Sequence, residues 1–297
     1  LFAPTGTYTL TGTPEGPLDD TAASEPVSVS EGHITKVSLQ LSPLSIPAGI
    51  SAENTGTDLS WLNHQRSRWG LPGEIANVPV WSAACAAHDA YEAQNNVLEH
   101  PEVLPGATPG GNWAGTDAVL AEDGGAWGEE ANPWLDAPIH LDQLFAPGLK
   151  KIGLDDSHGY QCATTWPGIY QSIIEAREHP GAVYTFPGDG ATGLPPVEHA
   201  AESPITPNED LGISDLSGRE LLVYESGTEF NDPELSVVSA SLTAGSESVE
   251  VRRYEHAGEP GAIIVPVQPL KPFTTYHASV TLAGFKTNYG KVVPELT

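Results

Sequence analysis

The first forty-odd residues alternate apolar and polar side chains with period two. Thr7-Tyr8-Thr9-Leu10, Val27-Ser28-Val29 and residues 34–41 are therefore predicted as strands, and no helical spacing competes with them. Helical spacing begins near residue 58. Asp58 is placed to cap a helix carrying Leu59, Leu62, Arg66 and Trp69, with Gly70 and Pro72 to stop it. A second helix is expected from Pro79, because proline suits a first helical turn. Trp81, Ala84, Cys85, His88, Tyr91 and Asn95 then share one face. Lys151-Ile152-Gly153-Leu154 and Tyr160-Gln161-Cys162-Ala163-Thr164 read as strands around a turn at residues 155–159. Beyond Gly188 the pattern returns to strand and turn, with strands predicted at 221–224, 237–242, 249–251, 262–265 and 275–282.

These shifts divide the chain into three expected units: a strand module over 1–47, a mixed α and β domain over 48–185 and a sandwich over 186–297. The fold class they imply is α+β multidomain. Three short strands are marginal as an independent sheet. The chain opens at Leu1-Phe2-Ala3-Pro4 without a start Met or a signal-type segment, which suggests a processed chain.

Charge then removes whole classes of partner. The chain holds 39 acidic and 12 basic residues, a formal charge of −27. Neutralising phosphates needs clustered Lys and Arg, and the only adjacent basic pairs are Lys150-Lys151 and Arg252-Arg253, so a nucleic-acid partner is excluded. An anionic membrane surface would repel the chain as well. No apolar run approaches the roughly 18 residues of a membrane span. Charged residues are only 17% of the chain, so the acidity reflects scarce Lys and Arg rather than a disordered acidic tail.

Cys85 and Cys162 are the only cysteines and lie in neither a CxxC nor a zinc-type spacing. A disulfide is the simplest reading and points to an oxidising compartment; two buried thiols are the alternative.

Three resemblances follow. "GTYTLTG" with "EPVSVSEGHITKVSLQL" resembles the last strands of transthyretin-like repeats, which implies that the first unit is an incomplete module. "SASLTAGSESVEV" with "IIVPVQPLKPFTTYHASVTL" resembles bacterial immunoglobulin-like modules whose penultimate turn reads P-x-x-P-L-x-x-x-T-x-Y. Between them, "LNHQRSRWGLP", "SAACAAHDAYEAQNN", "LEHPE", "WLDAPIHLDQLFAPGLKKIGL" and "GYQCATTW" follow one another in the order of the CAP superfamily, the cysteine-rich secretory, antigen 5 and pathogenesis-related proteins. "WLDAPIH" is similar to that family's W-x-x-S-P-x-H, with Ala137 in place of the serine. The resemblance implies a central α-β-α sandwich flanked by β-sandwich-type modules. It also implies a cleft gathering two His and two acidic residues, often around a divalent metal such as zinc.

By position, His100 and His140 match the family histidines. The G-E-N triplet falls in two places. "WGEEAN" offers Glu129 or Glu130, whereas "GGNWAG" has normal spacing but puts Asn112 or Trp113 where the glutamate belongs. Imidazoles with carboxylates suit zinc; two His without carboxylates bind metal weakly. Trp113, Trp127 and Trp134 flank the expected cleft and would suit an apolar, lipid or glycan ligand, or else fill the core. His88, on the buried helix face, reads as a hydrogen-bonded core residue, and Asp155-Asp156 as a solvated hairpin turn. No nucleophile elbow, phosphate loop or dinucleotide fingerprint is present.

The expected role is a secreted or cell-surface binding module. Two alternatives are a metal-assisted hydrolase using His100, His140 and Glu129 or Glu130, and a surface spacer or adhesin. Thiol titration of the denatured, unreduced protein is expected to find no free thiol, and two reactive thiols would end the disulfide reading.

Overall fold

A computed structural model describes residues 5–12, 20–21, 23–31, 35–38, 42–43, 45–71, 74–169, 182–225, 236–254 and 261–283. It is a mixed α+β structure with several small sheets. Strands β1 (Gly6–Gly12) and β3 (Ala23–Val29) pair antiparallel with Tyr8 opposite Val27, and β2 (Asp20–Thr21) pairs with β4 (Ser42–Pro43). The strand expected over 34–41 does not form at its described residues. Thr35, Lys36, Val37 and Ser38 are all exposed and irregular, so their alternation has no core to bury against. Ile34 and residues 39–41 lie outside the described residues.

The middle of the chain is built on β5 (Ala76–Asn77), β6 (Ala118–Glu122), β7 (Lys151–Ser157) and β8 (Tyr160–Thr164). They form one mixed sheet in the order β5-β7-β8-β6, with β5 parallel to β7 and the other pairs antiparallel. Its strands are apolar on both faces, as a sheet covered on both sides requires. Val119, Ala121, Ile152, Leu154 and Ala163 join one core. Their neighbours Ala118, Leu120 and Cys162 join another, with Ala84 and Cys85 of α2 (Pro79–Asn95) and Ala114 of α3 (Pro109–Thr116).

Helix α2 starts at Pro79 and buries Trp81, Ala84, Cys85, His88 and Tyr91, as the spacing predicts. It lies close on β7. A Cβ on Gly153 would overlap the Trp81 main chain, so only glycine lets the two backbones approach. The Cys85–Cys162 disulfide ties the helix to β8 across 77 residues of sequence.

Helix α1 (Thr55–Arg68) begins before Asp58, so Asp58 does not cap it. Asn54 holds the cap position in a left-handed conformation, and its Nδ2 donates to Asp156 O at 2.9 Å. Thr55 Oγ1 donates to Leu154 O at 2.8 Å, so strand β7 anchors the helix start. The chain turns away from α1 at Gly70, where φ is +86°.

The first core runs on through Leu62 and Trp69 beside α1, through Leu141, Leu144 and Phe145 of α4 (Pro138–Phe145), and into the C-terminal sheets. There β9 (Val183–Phe186), β12 (Leu221–Glu225), β15 (Val251–Tyr254) and β16 (Ala262–Pro266) form a sheet in the order β15-β16-β12-β9. Phe186, Leu222, Tyr224, Tyr254, Ile263 and Val265 face α1 and α4 in the shared core. The rings of Trp69, Phe145 and Phe186 meet at centroid distances of 4.9–5.7 Å.

The opposite face of this sheet offers Val223, Ala262 and Ile264 to Val237 and Leu282. Those two belong to β13 (Val237–Ala244) and β17 (His277–Leu282), which with β14 (Glu247–Val249) make a second antiparallel sheet. The strand expected at 249–251 is thus two strands. The chain leaves one sheet and enters the other at Glu250, the kind of corner at which packed sheets exchange strands. The expected boundary between residues 185 and 186 falls inside β9. A short pair, β10 (Val197–His199) with β11 (Leu216–Gly218), and one helical turn at Pro207–Asp210 complete the described elements. Among the described residues no helix is long and apolar enough to cross a membrane.

Two glycine replacements separate contact from propensity. Gly153→Ala is expected to destabilise by about 1–3 kcal/mol through overpacking. Gly56→Ala, in open space within α1, is expected to be neutral or stabilising by up to about 1 kcal/mol. Chemical denaturation of the oxidised protein measures both.

Candidate functional site

Helix α2 carries a buried polar group, in which His88, Asp89 and Glu92 are completely inaccessible to solvent. Groups so placed require partners. His88 Nδ1 lies 3.1 Å from Glu102 Oε1, and Nε2 lies 3.5 Å from Glu92 Oε1. Glu102 Oε2 also accepts from Thr108 N at 2.5 Å, and Glu102 N donates to Asn112 Oδ1 at 2.9 Å. Helix α3 can lie over this group because of its glycines. A Cβ at Gly111 would overlap the Glu102 carboxylate, and one at Gly115 would overlap the His88 ring. Thr108 caps α3 by accepting from Gly111 N at 3.0 Å. Burial alone disfavours the imidazolium, but the hydrogen bond to Glu102 and the Glu92 carboxylate beside Nε2 outweigh it and bring the His88 pKa up to about 9.

A second polar group joins α1, α2 and β7. Asp155 Oδ1 accepts from Glu53 N at 2.6 Å and Oδ2 from Ser157 Oγ at 2.5 Å. Burial pushes the Asp89 carboxyl well above its ordinary range, and the neighbouring Asp155 adds to the rise. Burial, with Asp156 and Asp155 nearby, brings Asp58 up to about 7. Asp155 is 2% exposed, which corrects the expectation of a solvated turn. His158 and Gly159 both take positive φ and close the hairpin as a two-residue turn, so residues 155–157 are drawn into the strand.

The residues expected at a metal take separate partners. His100 Nδ1 donates to Gly115 O at 2.7 Å, in the α2–α3 layer. His140 sits on α4, whose Ala137 cap supplies no side-chain bond. Glu202 takes that role: its carboxylate accepts from Ile139 N at 3.0 Å, from His140 N at 3.3 Å and contacts His140 Nδ1 at 2.8 Å. An anion at a helix N-terminus is favourable on electrostatic grounds. The α2–α3 core and the α4 core lie on opposite faces of the sheet, because Ala118 and Val119, adjacent on β6, belong one to each. Glu129 and Glu130 both pair with Arg68, Glu130 at 2.7 Å. Among the described residues no group of three or more His, Cys, Asp or Glu is placed to hold a metal ion. The set His100, His140, Glu129 and Glu130 therefore does not fit a shared cation.

Nor do the tryptophans line one wall. Trp134 is 2% exposed and its Nε1 donates to Leu120 O at 3.0 Å. Trp127 packs edge-on against Trp134, while Trp113 is tilted against Trp81 on the other face. No protein-family model, curated protein or solved structure matches this chain.

Sequence reasoning missed the partners rather than the histidines. Glu202 lies 62 residues from His140 and Arg68 more than 60 from its glutamates, distances at which no local pattern connects them. Glu102 was within reach, two residues after His100 in "LEHPE" and beside the glycines of "GGNWAG".

Asp58 and His88, like Asp89, are raised and so carry the same sign. The Asp58 contribution to stability is complete below about 3.8 and is lost as pH rises through about 7. The His88 contribution is complete below about 6.5 and is lost through about 9. Denaturation midpoints are therefore expected to fall from mild acid to pH 9. Asp58→Asn should flatten the lower part of that profile and His88→Gln the upper part.

Proposed function

We propose that this chain is a non-catalytic binding module of an exported protein, which captures an apolar or lipid-like ligand on the loop joining α2 and α3. One observation carries the reading: that loop holds apolar side chains in water on a fixed backbone. Leu98, Val103 and Leu104 are 46%, 73% and 38% exposed. Tyr91 Oη accepts from both Val103 N and Leu104 N at 3.0 Å and donates to Glu99 Oε1 at 2.5 Å. Glu92 Oε1 accepts from Glu99 N at 3.0 Å, while Gln94 and Asn95 side chains donate to Pro105 O. Exposed apolar side chains on a backbone ordered in advance lose little entropy on binding.

On this reading α2 and α3 on one face of the mixed sheet, and α1 and α4 on the other, are the layers of a CAP-like α-β-α sandwich joined to an immunoglobulin-like module. Tyr276 Oη, which accepts from Lys271 N at 2.7 Å, supports the second part as a tyrosine corner. The Cys85–Cys162 disulfide is consistent with an oxidising environment, and the net charge would keep such a module dispersed. The internal pairing of His100, His140, Glu129 and Glu130 speaks against metal-assisted hydrolysis, and the separation of the tryptophans against a glycan platform.

A fluorescent twelve-carbon fatty acid is expected to bind the intact chain. Replacing Val103 and Leu104 together by serine should weaken binding about tenfold, the loss of roughly 1.4 kcal/mol, with melting unchanged. Equal binding by the double variant would refute the loop as the site. Peptide turnover abolished by a chelator would establish the hydrolase instead.

A further inference from the structure

The exposed edge of β15 has a chemistry of its own, and it is independent of the α2–α3 loop. We infer that this edge is a docking groove for an extended acidic peptide, which adds to β15 as a further strand with its carboxylates on Arg252 and Arg253.

An open groove of about 470 Å³ runs between β13 and β15, lined by Val238, Ser239, Ala240, Val251, Arg252 and Arg253. Its lining mixes the apolar Val238, Ala240 and Val251 with the polar Ser239, Arg252 and Arg253. Val238 is 52% exposed at a β-bulge in β13, where the pairing with β17 slips between Val237 and Ser239.

Its wall is an unpaired strand edge. Among the described residues β15 pairs only with β16. Val267 N donates to Glu250 O at 3.0 Å, which makes residues 250 and 267 a hydrogen-bonded pair. In an antiparallel ladder such pairs alternate, so Arg252 and Tyr254 bond to β16 while the main-chain groups of Val251 and Arg253 point away from it. Pro266 opposite Val251 agrees, since a residue without an N–H fits a non-bonded position. Val251 and Arg253 thus present donors and acceptors at the spacing that an added strand uses.

Charge selects the occupant. Arg252-Arg253 is the one adjacent arginine pair in a chain of 39 acidic residues. Among the described residues Arg252 makes a surface bridge to Glu250 at 2.7 Å, a pairing of little net strength that an incoming carboxylate can replace. Arg253 bonds the bulge carbonyls of Val237 and Val238. Those carbonyls fix the guanidinium beside the groove without cancelling its charge. A strand laid antiparallel on β15 would set consecutive residues opposite Arg253, Arg252 and Val251, so the pattern recognised is two adjacent acidic residues followed by an apolar one.

The test uses the full chain, isotope-labelled, and a capped hexapeptide with two adjacent glutamates followed by valine. Saturable binding below about 1 mM is expected, weakening as salt rises. The amides of Val251 and Arg253 should gain hydrogen-exchange protection. Arg252→Glu, a fully surface change, should weaken binding at least tenfold, and a matching peptide with lysines for glutamates should not bind. No binding at 1 mM would overturn the inference. So would binding that leaves both amides unprotected, or equal binding of the lysine peptide; the two arginines would then only guard the edge against aggregation.

Discussion

The approach of α2 to β7 is the constraint from which the rest of this structure follows. Gly153 removes the side chain that would hold the helix off, and the disulfide from Cys85 to Cys162 fixes it at that distance. By loop entropy a bridge spanning 77 residues is worth about 4–5 kcal/mol. A helix held so close buries whatever its inner face carries, and here that includes His88, Asp89 and Glu92. Each has a heavy desolvation cost unless it is paired. Glu102 meets His88, burial beside Asp155 favours the neutral Asp89 carboxyl, and the glycines of α3 let that helix close over the first pair. The polar interior is thus a consequence of packing.

The same logic joins the middle of the chain to its C-terminal part. The sheet of β9, β12, β15 and β16 is covered on both faces, by α1 and α4 on one side and by β13 and β17 on the other. Leu222 and Val223, adjacent on β12, serve different cores. The aromatic contact of Trp69, Phe145 and Phe186 spans α1, α4 and β9, so neither half completes its apolar core alone.

Much of this was legible in the sequence where signals are local. Pro79 and the 3.6-residue spacing located α2 and its buried face, including His88 as a core residue, and alternation located most strands. The cysteine pair announced its bond. Signals that depend on surroundings were not legible. Residues 35–38 alternate correctly yet meet no core. Asp155 looks like turn chemistry, yet the positive φ of His158 tightens the hairpin and buries it. Asp58 looks like a cap, yet β7 anchors that helix through Thr55 and Asn54 instead. At the candidate site the histidines could be named, whereas Glu202 and Arg68, which decide what His140, Glu129 and Glu130 do, are joined to them only by the fold.

The central claim is that His100 and His140 serve different layers, one hydrogen-bonded to Gly115 O and the other to Glu202. Titrating zinc into the protein while following the ring signals of both histidines by NMR tests it most directly. The two signals are predicted to respond independently and only at a large excess of zinc. A concerted shift of both, complete at one equivalent, would contradict the account.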